Sequence, residues 1–275
     1  QSHYLTIPAE PDLRFFGAQK NVYDHLDDPY FSYSGPTSMG KSFIMRMFMK
    51  EQVKQGATKN FALIVPTKAL INENRSQIIN DLKEYLQQRN YRVITAAGDL
   101  ALEGRHNFIL VLTPERLLYL LISKPDLQID YVFIDEAHKL SGKNSRGPFY
   151  YKVVDMLIKR QHKPHIIFAS PNIPNPEVYL RLLSEKTNAN NRLRSTFSPV
   201  AQIKFLIDLN THTISAYNDY AEELMHLATI QKSDATLIDF LRMFEVVNIK
   251  QIPENRQQTI VYCNGKSKAI ELARE

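Results

Sequence analysis

A chain of 275 residues with 44% hydrophobic side chains has enough apolar surface for one large core and part of a second. Its net charge of +5 suits a polyanionic partner without requiring one, and its single cysteine, Cys263, excludes an internal disulfide and a multi-cysteine zinc site. No apolar run is long enough to span a bilayer and Gln1-Ser2-His3-Tyr4 has no signal-peptide character, so no membrane partner and an intracellular, cytoplasmic location are expected.

The first informative elements surround residue 40. Tyr30-Phe31-Ser32-Tyr33 reads as a short buried strand, and 42–55 as an apolar-rich helix stopped by Gly56. Between them lies Gly35-Pro36-Thr37-Ser38-Met39-Gly40-Lys41-Ser42, a G-x-x-x-x-G-K-S loop. A loop of small residues between strand and helix aims backbone N–H groups at a polyphosphate, with the positive end of the helix dipole behind them. Pro36, Thr37, Ser38, Met39 and Gly40 would form that cradle, and Lys41 would reach the β- and γ-phosphates. Ser42 would offer Mg²⁺ a hydroxyl, since that ion keeps most of its waters and accepts few protein ligands. ATP with Mg²⁺ is the implied ligand. Met45, Met47 and Met49 fit helix packing behind the loop.

Strands then read at 61–65, 91–95, 108–112, 131–134 and 165–169, with helices at 70–89, 114–122, 150–160 and 176–185. Alternation of this kind implies parallel βαβ units covered on both faces, a doubly wound α/β domain. Strand 131–134 runs into Asp135-Glu136-Ala137-His138, and the carboxyl end of such a strand faces the ligand crevice. Asp135 would hold Mg²⁺ through water and Glu136 would polarise the attacking water. His138 lies too far along to touch the γ-phosphate and would relay nucleotide state to a second lobe. The remaining histidines show no metal-ligand spacing.

A polar stretch at 185–198 marks a boundary, which divides the chain into 1–195 and 196–275. Beyond it the sequence suggests a hairpin at 203–208 and 213–217, helices at 219–230 and 235–244, a strand at 259–262 and a last helix from 266. No internal repeat occurs.

Taken together, the motifs resemble those of superfamily 2 helicases, from Gln19 almost to the end. Gln19, with Phe15 and Phe16 upstream, is similar to the glutamine that recognises adenine there. Val65-Pro66-Thr67-Lys68-Ala69-Leu70 resembles motif Ia, Gly98-Asp99 the element after it, and Thr113-Pro114-Glu115-Arg116 motif Ib. Ser170-Pro171-Asn172 stands at motif III, where Ser-Ala-Thr is usual, and Thr259-Ile260-Val261-Tyr262-Cys263-Asn264 resembles motif IV. The Lys-Ala-Leu of motif Ia, Gly98-Asp99, Arg146-Gly147 and Ser170-Pro171-Asn172-Ile173-Pro174-Asn175-Pro176 point to the superkiller-like branch of DExH helicases.

That resemblance implies a RecA-like P-loop NTPase domain followed by the start of a second RecA-like lobe. It implies ATP and Mg²⁺ as cofactors, and Lys41, Asp135, Glu136, His138 and Ser170 as the catalytic set. DNA or RNA would bind through its backbone, regardless of sequence, at Pro66, Thr67, Lys68, Gly98, Thr113 and Arg116. The rest of the second lobe would be a further partner. Motifs V and VI do not occur in the sequence, and an arginine finger of the kind motif VI supplies is worth about three to five orders of magnitude in rate. This segment is therefore expected to bind nucleotide and hydrolyse it poorly. An ATP-gated nucleic-acid clamp without processive unwinding is the alternative, motivated by the altered motif III.

Overall fold

The computed structural model describes residues 4–96, 106–140, 146–183, 191–196, 204–208, 210–218, 223–229 and 267. The chain divides into two compact units, Gln1–Val200 and Ala201–Glu275.

The first unit opens with a hairpin of β1 (Thr6–Ile7) and β2 (Glu10–Arg14) and a short helix, α1 (Gly17–Tyr23). The alternating part follows: β3 (Tyr30–Ser34), α2 (Lys41–Lys54), β4 (Phe61–Ile64), α3 (Lys68–Gln88), β5 (Tyr91–Ile94), β6 (Asn107–Leu112), α4 (Pro114–Ser123), β7 (Tyr131–Ile134), α5 (Gly147–Ile158), β8 (His165–Ser170) and β9 (Arg192–Arg194). The strands form a seven-stranded sheet in the order β5-β6-β4-β7-β8-β3-β9, every neighbouring pair parallel. This is a RecA-like α/β fold.

Each strand feeds both faces of the sheet, because successive side chains point to opposite sides. Phe61 and Leu63 of β4 and Tyr131 and Phe133 of β7 pack with residues of α1, α2 and α3. Ala62 and Ile64, with Val132 and Ile134, pack with α4 and α5 on the other face. Phe48 of α2 anchors the first core, its ring 5.3 Å from that of Tyr131 and 6.1 Å from that of Phe133. The second helix stops as expected at Gly56, whose φ of +84° a side chain would resist.

Two expected helices take other forms. Residues 176–185 hold a 3₁₀ helix, Pro176–Leu182, with the proline in its first turn. Residues 219–230 contain no described helix but a strand, β12 (Glu223–Thr229), which pairs antiparallel with β11 (Thr213–Asn218), itself paired with β10 (Lys204–Asp208). Glu223-Leu224-Met225 carries good helix formers, and register with a neighbouring strand overrides that weak local preference. The polar stretch at 185–198 also contributes β9, which joins the sheet beside β3. The expected helix at 235–244, the strand at 259–262 and Gly98 lie outside the described residues.

Candidate functional site

The strands of the sheet end together on one edge. Ser34 is in register with Ser170, and Ile64 with Ile134. The segments after β3, β4, β7 and β8 therefore emerge side by side, and these carry the P-loop, the Pro66-Thr67-Lys68 turn, Asp135-Glu136 and Pro171-Asn172.

The P-loop makes a 3₁₀ turn at Thr37–Met39 and passes into α2 through Gly40 at φ +75°. A side chain at Gly40 would be strained at that φ and would press on Gln19 Nε2 from 3.1 Å. Gln19 is buried and spans two chain segments. Its Oε1 accepts from the Phe16 N–H at 3.0 Å and its Nε2 donates to the Met39 carbonyl at 2.9 Å. The glutamine thus braces the P-loop from α1.

Lys41 is 5% exposed and donates to the carbonyls of Gly35 and Pro36, each at 3.2 Å. Burial draws its ammonium below the usual lysine range, while Asp135 and Glu136 oppose that shift. Asp135 is the complementary case. Burial, with Glu136 adding repulsion, pushes its carboxyl up to about 6, against the Glu136 N–H at 3.0 Å, Lys41 and Ser42. The two charges are thus drawn together in a place that hydrates neither well.

Glu136 has φ +54°, a left-handed conformation unusual for a side-chain-bearing residue and concentrated at functional turns. The turn sets its Oε2 3.2 Å from His138 Nδ1. Burial lowers the basicity of His138, against Glu136 and reinforced by Lys139 and Lys41, so the neutral imidazole is favoured. Ser170 is fully buried, donating its hydroxyl to the Tyr33 carbonyl at 3.3 Å, while its own carbonyl receives the Gly35 N–H at 3.2 Å. It fastens the start of the P-loop to the end of β8.

Thr37, Gly40, Lys41, Ser42, Asp135 and Glu136 share the wall of one cavity of about 250 Å³. The Ser42 hydroxyl lies 3.5 Å from Asp135 Oδ2. One hydroxyl and one carboxylate suit Mg²⁺ carried by phosphates and water, and among the described residues no group of three ligating side chains offers an alternative cage. The sequence expectations omitted the opposite wall, which α3 provides through Leu70, Glu73, Asn74 and Gln77, with Arg46 of α2 beside them. Its signal was present in the helix pattern. Ile71, Asn74, Ile78 and Leu82 are the buried positions of α3, and Asn74 is the one polar member of that stripe.

The residues expected to hold nucleic acid lie at the starts of α3 and α4. The Thr67 hydroxyl caps α3 by accepting from the Leu70 N–H at 3.3 Å, and the Thr113 hydroxyl caps α4 by accepting from Arg116 at 3.4 Å. The Arg116 guanidinium donates to the Thr95 carbonyl at 2.7 Å, and Lys68 is exposed. Arg146 donates to the Pro66 carbonyl and pairs with Glu115 at 3.1 Å, which ties the two helix starts together.

The profile of DEAD/DEAH box helicases matches residues 17–178, over half of the chain and all of the cavity wall just described. The chain belongs to the DEAD/DEAH box helicase family. An uncharacterised ATP-dependent helicase of Methanocaldococcus jannaschii is 25% identical over 163 residues, covering 54% of this chain and 24% of that one. The Pyrococcus furiosus Hef helicase domain matches 65% of this chain and 37% of its own, with a TM-score of 0.50 and 16% identity. The DUF1998 helicase MrfA matches 94% of this chain and 37% of its own, with a TM-score of 0.58 and 15% identity. MrfA bound to DNA matches 67% and 27%, with a TM-score of 0.50 and 18% identity. The chain spans under half the length of each, and the structural likenesses are likenesses of fold. Among the described residues of this DEAD/DEAH box chain, no helix is long and apolar enough to cross a membrane.

Proposed function

We propose that this chain is the ATP-binding part of a nucleic-acid-dependent ATPase that moves on or unwinds a strand, and that it belongs to the superkiller-like branch of its family. The observation that carries the reading is the convergence of Lys41, Ser42, Asp135 and Glu136 on one cavity at the carboxyl edge of a parallel sheet.

In this reading the Lys41 ammonium, held here by the Gly35 and Pro36 carbonyls, would turn to a bound polyphosphate. Ser42 and Asp135 would hold Mg²⁺, with Asp135 in its ionised form. The group bound here supplies a phosphoanhydride bond and a metal that offsets its charge. Glu136 orients the attacking water, and His138 beside it senses whether that carboxylate is engaged. Gln19 recognises the base and, through the Met39 carbonyl, transmits its presence to the P-loop. Residues 1–195 form the first RecA-like domain and 196–275 the start of the second.

Thr67, Lys68 and the free N–H groups at the start of α3 grip the strand's phosphates, joined by Gly98. Pro66 shapes that turn. Thr113 and Arg116 act from within, as cap and brace of the neighbouring helix start. The DNA-bound relative supports nucleic acid as the track. Ser170-Pro171-Asn172 in place of the usual motif III supports the clamp reading, in which ATP closes the protein on a strand and hydrolysis releases it.

The test is ATP hydrolysis by the complete protein containing this chain, with single-stranded DNA, single-stranded RNA, duplex or no polymer, and Lys41→Ala as control. Stimulation by one polymer that disappears in the variant is the expected result. Equal rates with every polymer would overturn the nucleic-acid-dependent reading. Stimulation without strand displacement would select the clamp.

A further inference from the structure

Asn74 presents a polar atom that no group among the described residues uses. The residue is 3% exposed, and its Nδ2 donates to the Leu70 carbonyl at 2.9 Å. That bond fixes the orientation of the amide, because exchanging its ends would set two oxygens against each other. Oδ1 is left buried with no hydrogen-bond partner among the described residues. The hydroxyls of Tyr33 and Tyr150 are also unpartnered, but neither tyrosine lines the cavity that holds Ser42 and Asp135; Asn74 does. An orphan acceptor on a residue that lines a ligand cavity calls for a donor from outside the protein, and the ligand's own water is one that this cavity would bring.

We infer that Asn74 is a further residue of the nucleotide site, its Oδ1 accepting a hydrogen bond from a water molecule of the hydrated Mg²⁺ that enters with the polyphosphate. The inference rests on the ATP and Mg²⁺ reading above. The other groups on that wall explain the choice of donor. Glu73 is an acceptor, Gln77 is engaged with Arg46 and Glu73, and Arg46 is held by Asp81 at 2.6 Å and Gln77 at 2.7 Å. None of them offers Asn74 a hydrogen. Waters on a divalent ion are strong donors, and Mg²⁺ gives them up reluctantly. Because Oδ1 is closed to bulk water in this conformation, a local shift of the Asn74 side chain must admit the donor. Asn74 then acts on the metal through water, as outer-shell partners do.

The test is binding of a fluorescent ATP analogue to the full chain, once with Mg²⁺ and once with EDTA, for the wild type, Asn74→Asp and Asn74→Leu. The leucine removes the acceptor and the bond to Leu70. The aspartate keeps an acceptor but cannot donate to Leu70. Asn74→Leu is expected to weaken binding about tenfold in Mg²⁺ and leave binding in EDTA unchanged. Asn74→Asp is expected to keep the Mg²⁺ advantage. If the two variants fail alike, or if affinity changes equally in both conditions, Asn74 merely fixes α3 and the inference is overturned. Should the leucine variant not fold, Asn74→Ala, which also removes the acceptor, is read in its place with the same expected and overturning outcomes. A wild type indifferent to Mg²⁺ would overturn the metal reading itself, which separates the two failures.

Discussion

Asp135 combines a requirement for charge with surroundings that resist it. Burial, the leading cause, pushes its carboxyl up to about 6 from 3.8 for the free group. A raised carboxyl pKa means that the folded state holds the proton more tightly than the unfolded one. Its contribution to stability is therefore fully present below pH 3.8 and lost as pH rises through about 6. Two pKa units correspond to about 3 kcal/mol, of which neighbouring relaxation would leave about 2. Asp135→Asn should accordingly raise the melting temperature of the ligand-free chain by about 5 °C at pH 8 and by nothing at pH 3.5. Thermal melts across that range check it; a gain independent of pH would place the cause elsewhere than in this ionisation. The same carboxylate must be ionised to hold a cation, so Mg²⁺-dependent nucleotide affinity should fall as pH drops through about 6. The stabilising substitution would then be the one that loses the metal.

At the scale of elements, the cavity exists because α2 and α3 are held at a fixed spacing. The clamp is polar. Arg46 of α2 reaches Asp81 and Gln77 of α3, and its side chain is 12% exposed against 28% for that of Asp81. A partly buried charged hydrogen bond of this kind contributes about 2 kcal/mol, more than an exposed pair. Arg46→Ala should lower the unfolding free energy obtained from urea titration by that amount, and the cycle with Asp81→Ala should show a coupling of about 1 kcal/mol. Strictly additive losses would mean that the pair is a solvated contact. Nothing in the sequence announces this clamp, since Arg46 and Asp81 are 35 positions apart and each reads as an ordinary surface charge. The P-loop, by contrast, was legible because its chemistry is local: Gly40, Lys41 and Ser42 are consecutive, and their strand and helix flank them. The apolar strands were legible for the same reason. β12 was not, because Glu223-Leu224-Met225 has a helical composition and only pairing with β11 makes it a strand. Asn74 lies between these cases. Its place on a buried stripe could be read from periodicity, but its unpaired oxygen is a fact of three-dimensional packing.

For the whole molecule, the first unit contains what its own fold and cavity draw on among the described residues. Both large cores, from Phe31 and Phe61 on one face of the sheet to Ile134 and Phe168 on the other, belong to the first unit, as does every wall of the cavity. The sheet has its central strands buried on both faces, the condition that parallel strands need. Even its β3 edge is completed from within, by Arg192–Arg194 pairing beside Ser32–Ser34, with the Ser195 N–H donating to the Ser34 carbonyl at 2.9 Å. A chain cut at Asn191 would lose that edge strand, whereas one cut after Val200 keeps it. Residues 1–200 should therefore melt cooperatively by themselves and bind an ATP analogue with Mg²⁺ within about threefold of the full chain. Residues 1–190, lacking β9, should melt lower, and because Ser34 directly precedes Gly35 they should also bind the nucleotide more weakly. Calorimetry and a binding titration on the two truncations distinguish the cases. If residues 1–200 failed to give a cooperative transition, the two cores of the first unit would not suffice for its fold.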